Sequence, residues 1–179
     1  MVLKLIEDMN KALDNNCYLA ALAIALMLPD ICAKAEFPEE KNRKRYITWY
    51  DEYIGKCLKD PDSDKTPYLS GEVIYSLRCN FLHQGTPNIE KDGINEECCK
   101  IDKFTLIRQQ KNDVGLYFDM ISTTESRLRD ILPETPYRTY DVNIRGLCQK
   151  VNWCVSSYYK KNKEKFDFFN YSIVDYEDL

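Results

Sequence analysis

Leu3, Ile6, Met9 and Leu13 recur every three or four residues, so the chain opens with an amphipathic helix. Asn15-Asn16 interrupts it. Residues 17–28 are apolar on every side and rich in Ala and Leu, the pattern of a central helix with neighbours all round. Pro29-Asp30 predicts a break or kink, because proline removes a backbone donor and crowds the preceding turn. Residues 30–36 add a further short turn. A charged stretch from Glu39 to Arg45 leads into a third helix, whose stripe is Tyr46, Trp49, Tyr50, Tyr53, Ile54 and Cys57. That stripe reads as core packing in preference to a base-stacking surface. Residues 59–67 form a loop, marked by two prolines and clustered Asp and Ser. Its Asp60, Asp62 and Asp64 lack the glycine and the closing glutamate of a calcium-binding EF-hand, so no calcium site is expected there.

Ser70-Gly71-Glu72 is a helix start, with Ser as N-cap and an early acid complementing the dipole. This fourth helix runs to about His83, with Val73, Leu77 and Phe81 in one seam and Ile74 and Leu82 beside it. Gln84-Gly85-Thr86-Pro87 ends it through a left-handed glycine. Residues 88–100 are polar and irregular. Residues 104–108 and 115–120 have strand-like content, and 109–114 supply a turn between them. The expectation is a small antiparallel hairpin or three-stranded piece. Pro133 and Pro136 bound another turn. The last helix starts at a cap supplied by Asp141 or Asn143. It carries Ile144, Leu147, Cys148, Val151, Cys154, Val155 and Tyr158 at helical spacing and ends in Lys160-Lys161-Asn162-Lys163. Residues 166–179 form an aromatic, acidic tail. The fold class is therefore mainly α. A bundle of four or five helices forms one domain over residues 1–179, with a small β-hairpin insertion at about 100–125 before the last long helix.

Composition narrows the function. The 179 residues are 44 % hydrophobic and 30 % charged, and with 6 Gly and 7 Pro the chain is neither collagen-like nor a linker. A net charge of −4 argues against a duplex-wrapping protein held by broad phosphate neutralisation, but leaves room for a small, locally basic RNA site. The single histidine, His83, excludes a multi-His metal site within one chain. None of the eight cysteines forms a CxxC pair, although Cys98 and Cys99 are adjacent. Cys17, Cys57, Cys148 and Cys154 fall in apolar helical patterns, as small buried hydrophobes do. The amino-terminal residues carry acids and no basic leader, so reduced thiols in a cytoplasm are expected. The apolar run 18–28 is shorter than the roughly 20 residues a spanning helix needs, so no membrane partner is expected.

Nucleotide-binding glycine loops and the GxSxG elbow are absent. A Cys79–His83 pair is a weak nucleophile candidate, because nothing marks Cys79 as a low-pKa thiolate. The stronger candidate is Arg78-Cys79-Asn80-Phe81-Leu82-His83. Arginine offers a permanently charged planar fork for phosphate oxygens, and imidazole gives or takes a proton. Asn80 would orient the phosphate or the imidazole. That pairing needs no metal and no other cofactor.

Arg-x4-His at a helix end in a small helical bundle resembles the Rx4–6H motif of the HEPN superfamily. These are all-helical domains, many of them metal-independent endoribonucleases in toxin–antitoxin, phage-defence and RNA-processing systems. The resemblance rests on this six-residue motif and on the helical layout of residues 1–86 and 140–163. It implies that Arg78 and His83 are a catalytic pair in a cleft between two subunits. It further implies a homodimer acting on single-stranded RNA, with an antitoxin or regulatory protein as a further partner. The family often has a polar residue directly after the arginine; here Cys79 stands there and Asn80 follows. The implied reaction is attack of a ribose 2′-OH on the adjacent phosphate, giving a 2′,3′-cyclic phosphate and a 5′-OH end.

Positions five apart on a regular helix lie about 140° apart, so Arg78 and His83 do not share a face by spacing alone. Either the helix ends before His83 or the two meet across a dimer. The structural alternative has His83 favourably placed at a helix C-terminus and Arg78 in a salt bridge to Glu72 or to an acid of the third helix. Two basic clusters bear on RNA: Lys41, Arg43, Lys44 and Arg45 before the third helix, and Lys160, Lys161, Lys163 and Lys165 after the last. Arg43, Lys44, Arg45, Lys160 and Lys161 are the candidates for tracking a backbone, against the plainer reading of solvated helix-end charge. The competing functions are a non-catalytic helical module that holds a protein partner and a bundle that binds a small ligand.

Overall fold

The computed structural model describes residues 1–59, 68–96, 99–100, 103–109, 121–125, 138–169 and 174. The predicted loop with Asp60, Asp62 and Asp64, the predicted strand 115–120, the turn at Pro133 and Pro136, and most of the tail beyond Phe169 lie outside the described residues. Among the described residues, five α-helices and a three-stranded sheet follow in chain order. They are α1 (Val2–Asp14), α2 (Tyr18–Glu36), α3 (Asn42–Tyr53), α4 (Gly71–Gln84), β1 (Lys103–Ile107), β2 (Ile121–Glu125), β3 (Arg138–Asn143) and α5 (Ile144–Lys161).

Helix α2 is the centre: α1, α3, α4 and α5 all pack on it. Leu22, Leu26, Leu28, Cys32 and Ala33 are buried along its length, so a continuous helix is worth more than the hydrogen bond that Pro29 removes. The break predicted at Pro29-Asp30 does not occur, and Pro29 is buried inside the helix. The helix is thus long and apolar enough to cross a membrane by length and composition; in this fold it is wrapped by the other four. Trp49, Tyr46 and Tyr50 of α3 are fully buried against it, so the aromatic stripe is core. Trp49 stacks on Tyr53 (4.9 Å) and meets Tyr158 of α5 edge-on (5.4 Å), and Phe166 extends the ladder from Tyr158 and Tyr159. Glu36 accepts from Lys165 Nζ (2.6 Å) and from the Tyr158 hydroxyl, fastening the start of the tail to the end of α2.

The β segment is three-stranded, one of the two expected forms, but its pairing is not that of an antiparallel hairpin. The strand order is β1-β3-β2: β1 runs parallel to β3, β2 runs antiparallel to β3, and β1 and β2 do not pair. Parallel strands need a long crossover, and residues 108–137, which include β2, provide one. Strand β3 passes directly into α5. Asn143 ends the strand, and its side chain accepts from Gly146 N (3.2 Å) as the N-cap of the helix, so Asn143 and not Asp141 is the cap. Cys148 and Cys154 are buried as expected, whereas Cys17 and Cys57 are exposed: each sits at an element boundary, where the apolar stripe has run out. Burial pushes the Cys148 thiol up to about 12.

Helix α4 is set against α3 by its first turn. Ser70 accepts from Val73 N as N-cap (3.4 Å), and Gly71 N donates to Asp51 Oδ1 (2.6 Å). A Cβ at Gly71 would lie 2.7 Å from the Ile47 carbonyl, so the close approach requires glycine. Burial raises the Asp51 carboxyl to about 6, helped by Glu96 and Glu72 and opposed by the Gly71 N–H and Lys59. The folded protein therefore takes up this proton more readily than the unfolded chain, and Asp51 costs stability as pH rises from about 4 to 6. Asp51→Asn is expected to flatten that slope and to gain up to about 2 kcal/mol at pH 7. Urea unfolding at pH 4.5 and 7 reads this directly; a variant with the wild-type slope would disprove it.

Candidate functional site

The second half of α4 carries Arg78, Cys79, Asn80 and His83, in a helix built as the sequence predicts. It runs through His83 to Gln84 and stops at Gly85, whose φ of +72° is left-handed. Gly85 N closes the last turn on the Phe81 carbonyl (3.0 Å). His83 therefore has helical backbone, about 7.5 Å along the axis from Arg78 and about 140° around it. His83 is exposed to solvent.

Arg78 turns toward the bundle. Its Nη2 donates to Asp30 Oδ2 of α2 (2.8 Å), and its guanidinium lies 6.0 Å from the Tyr46 ring and 5.9 Å from the Tyr75 ring. The arginine side chain remains 17 % exposed. The expected salt bridge thus exists, but its acid is Asp30, not Glu72 or an acid of α3. Asp30 also faces Arg45 of α3, whose Nη2 is 3.5 Å from Oδ1. Arg45, a candidate for tracking RNA backbone along an open surface, is only 13 % exposed and belongs to this ion cluster. The sequence reading missed Asp30 because its position beside Pro29 looked like a helix end. A charged residue inside an otherwise apolar helix was the signal available.

Asn80 is buried, and its amide nitrogen donates to the Asn88 carbonyl (3.1 Å). It belongs to a ladder on one face of α4. Ser76 Oγ accepts from Glu90 N (2.9 Å), and Glu72 accepts from Asn95 N (2.6 Å). Spaced at four residues, Glu72, Ser76 and Asn80 hold residues 88–95 as a strap along the helix. Arg43 completes it by donating to the Gly93 carbonyl (2.6 Å), with its guanidinium 3.7 Å from Glu72 and 5.4 Å from the Tyr75 ring.

The remaining RNA candidates divide. Lys44, in the first turn of α3, is exposed and paired with Glu40 just before the helix (2.6 Å). Lys160 and Lys161 are exposed in the last turn of α5. Among the described residues no three His, Cys, Asp or Glu side chains are grouped as metal ligands would be. Cys79 is half-buried, with its sulfur 3.9 Å from Arg78 Nη1.

The arrangement is a partly enclosed pair of guanidiniums on one carboxylate, with a solvent-facing imidazole further along the same helix. Such a set binds a phosphate and moves a proton if the imidazole of one chain reaches the arginine of another. No protein-family model, no curated protein and no solved structure matches this chain.

Proposed function

We propose that the protein is a metal-independent endoribonuclease of HEPN type that acts as a homodimer on single-stranded RNA. The observation that carries this reading is the placement of the only histidine. His83 faces solvent in the last turn of the helix that also presents the partly exposed Arg78. Because α4 runs unbroken through His83, the two groups diverge within one chain. The reading therefore places the site between two chains.

In the reaction, an imidazole takes the proton of the 2′-OH as the O2′–P bond forms. The P–O5′ bond breaks, and the leaving oxygen is protonated by an imidazolium. Arg78 stabilises the charge that develops on the non-bridging oxygens, the electrostatic contribution that is often the largest single one. Lys160 and Lys161 are exposed and available to the RNA backbone. A role beside an antitoxin or in phage defence follows the same family resemblance.

His83→Ala is expected to lower cleavage of single-stranded RNA in EDTA by about 10²- to 10⁴-fold. Its folding should stay intact, because the side chain it removes is exposed. Gel analysis of end-labelled RNA, with circular dichroism as the folding control, measures both. Undiminished cleavage by the variant would remove the site.

One observation favours a second reading. Arg78 already acts as a strut between α4 and α2 through Asp30, which fits a helical module that holds a protein partner without catalysis. Wild-type protein that cleaves no RNA while keeping its fold would select that reading.

A further inference from the structure

Asp30 lies within α2, away from either helix end, so no helix dipole favours a carboxylate there. Its two oxygens serve two different helices. Oδ2 accepts from Arg78 of α4 at 2.8 Å, and Oδ1 lies 3.5 Å from Arg45 of α3. The side chains of Asp30, Arg45 and Arg78 are 24 %, 13 % and 17 % exposed. One carboxylate thus holds two guanidiniums together, and the cluster keeps a net positive charge. Without the acid, two like charges in this half-buried place would repel and separate. The Nε atoms of both arginines are enclosed without a hydrogen-bond partner, so both side chains are held chiefly from their terminal nitrogens. The Tyr46 and Tyr75 rings lie beside the Arg78 guanidinium, and the Arg43 guanidinium lies 5.4 Å from the same Tyr75 ring.

We infer that Asp30 is a positioning residue of the proposed ribonuclease, holding Arg45 and Arg78 as a paired fork for the oxygens of a phosphodiester. This deepens the ribonuclease reading and rests on it. It makes Arg45 the second phosphate-binding guanidinium and assigns Asp30 no contact with RNA. Two planar forks fixed side by side match a phosphate better than one, and they act most strongly where negative charge grows during reaction. A misplaced fork still binds the ground-state phosphate but loses its alignment with the reacting one, so the loss falls on kcat.

The test compares wild type with Asp30→Asn, Asp30→Glu, Arg78→Gln and the Asp30→Asn/Arg78→Gln double variant on one single-stranded RNA in EDTA. Asp30→Asn is expected to lower kcat roughly ten- to a hundredfold with KM within about twofold, and Asp30→Glu to recover most of it. In the Arg78→Gln background, Asp30→Asn is expected to cost several-fold less than it does in the wild type, because one of the two arginines that it positions is already gone. A strut with no positioning role behaves otherwise. It lowers the melting temperature and the fraction of active molecules, leaves kcat per active molecule unchanged, and adds its loss to that of Arg78→Gln. Either result overturns the inference. The two failures are distinguishable: wild-type protein that cleaves no RNA sinks the ribonuclease reading and the catalytic use of the fork with it. Wild-type cleavage with additive losses sinks the role of Asp30 alone.

Discussion

Arg145→Met is expected to destabilise the fold by about 3–5 kcal/mol, because it removes hydrogen bonds to two buried carbonyls from one well-packed site. Arg145 is 4 % exposed in the first turn of α5. Its Nε donates to the Gln109 carbonyl (2.9 Å), and its Nη2 donates to the Leu13 carbonyl at the end of α1 (2.9 Å). The guanidinium lies 6.0 Å from the ring of Tyr18, whose hydroxyl also reaches the Gln109 carbonyl (3.1 Å). One side chain thus ties the end of α1, the start of α2, the exit of β1 and the start of α5. Methionine fills much of the volume and leaves both carbonyls without these donors. Lysine keeps the charge but not the fork, and its loss should be smaller. Urea unfolding of the three proteins checks the order wild type, Lys, Met. A methionine variant within about 1 kcal/mol of wild type would show that the junction does not depend on this arginine.

Mixing two inactive variants is expected to restore RNA cleavage. His83→Ala retains Arg78, and Arg78→Gln retains His83. If the site takes its arginine from one chain and its histidine from the other, a mixed dimer has one complete site. Equal amounts refolded together should then reach about a quarter of the wild-type rate, since half the dimers are mixed and each has one of two sites intact. Each variant alone should stay below about a hundredth of wild type. The physical basis is the straight run of α4: with 140° between the two positions, one chain cannot close the pair by backbone geometry. No recovery on mixing, with both variants folded, would show that the pair is not shared between chains.

The bundle was legible where local chemistry decides local structure. Ser70 and Gly85 bracket α4 by cap and left-handed glycine, and Asn143 starts α5 by the same rule. The apolar spacing of α1 and α5 reports the faces that are buried, except that Leu3 is exposed and Val2 takes its place in the core. Pro29 misled because a proline rule concerns one hydrogen bond, while the buried residues on both sides of it act together. Sheet order was not legible from strand content, since pairing direction depends on how far apart in the chain the partners lie. At the site, Arg78 and His83 were readable as a motif, but the partner of Arg78 was not. Asp30 is 48 residues away and becomes a neighbour only when α2 and α4 pack. Arg145 also escaped notice, although a cation in the first turn of a helix opposes the dipole and must be held by something else.

Because Asn143 is at once the last residue of β3 and the cap of α5, there is no slack between sheet and helix. The ladder that aligns Asn143 with Ile107 therefore also sets the rotational phase of everything after it. One extra residue at this joint would turn α5 by about 100° and swing Val151 and Val155 out of the interior.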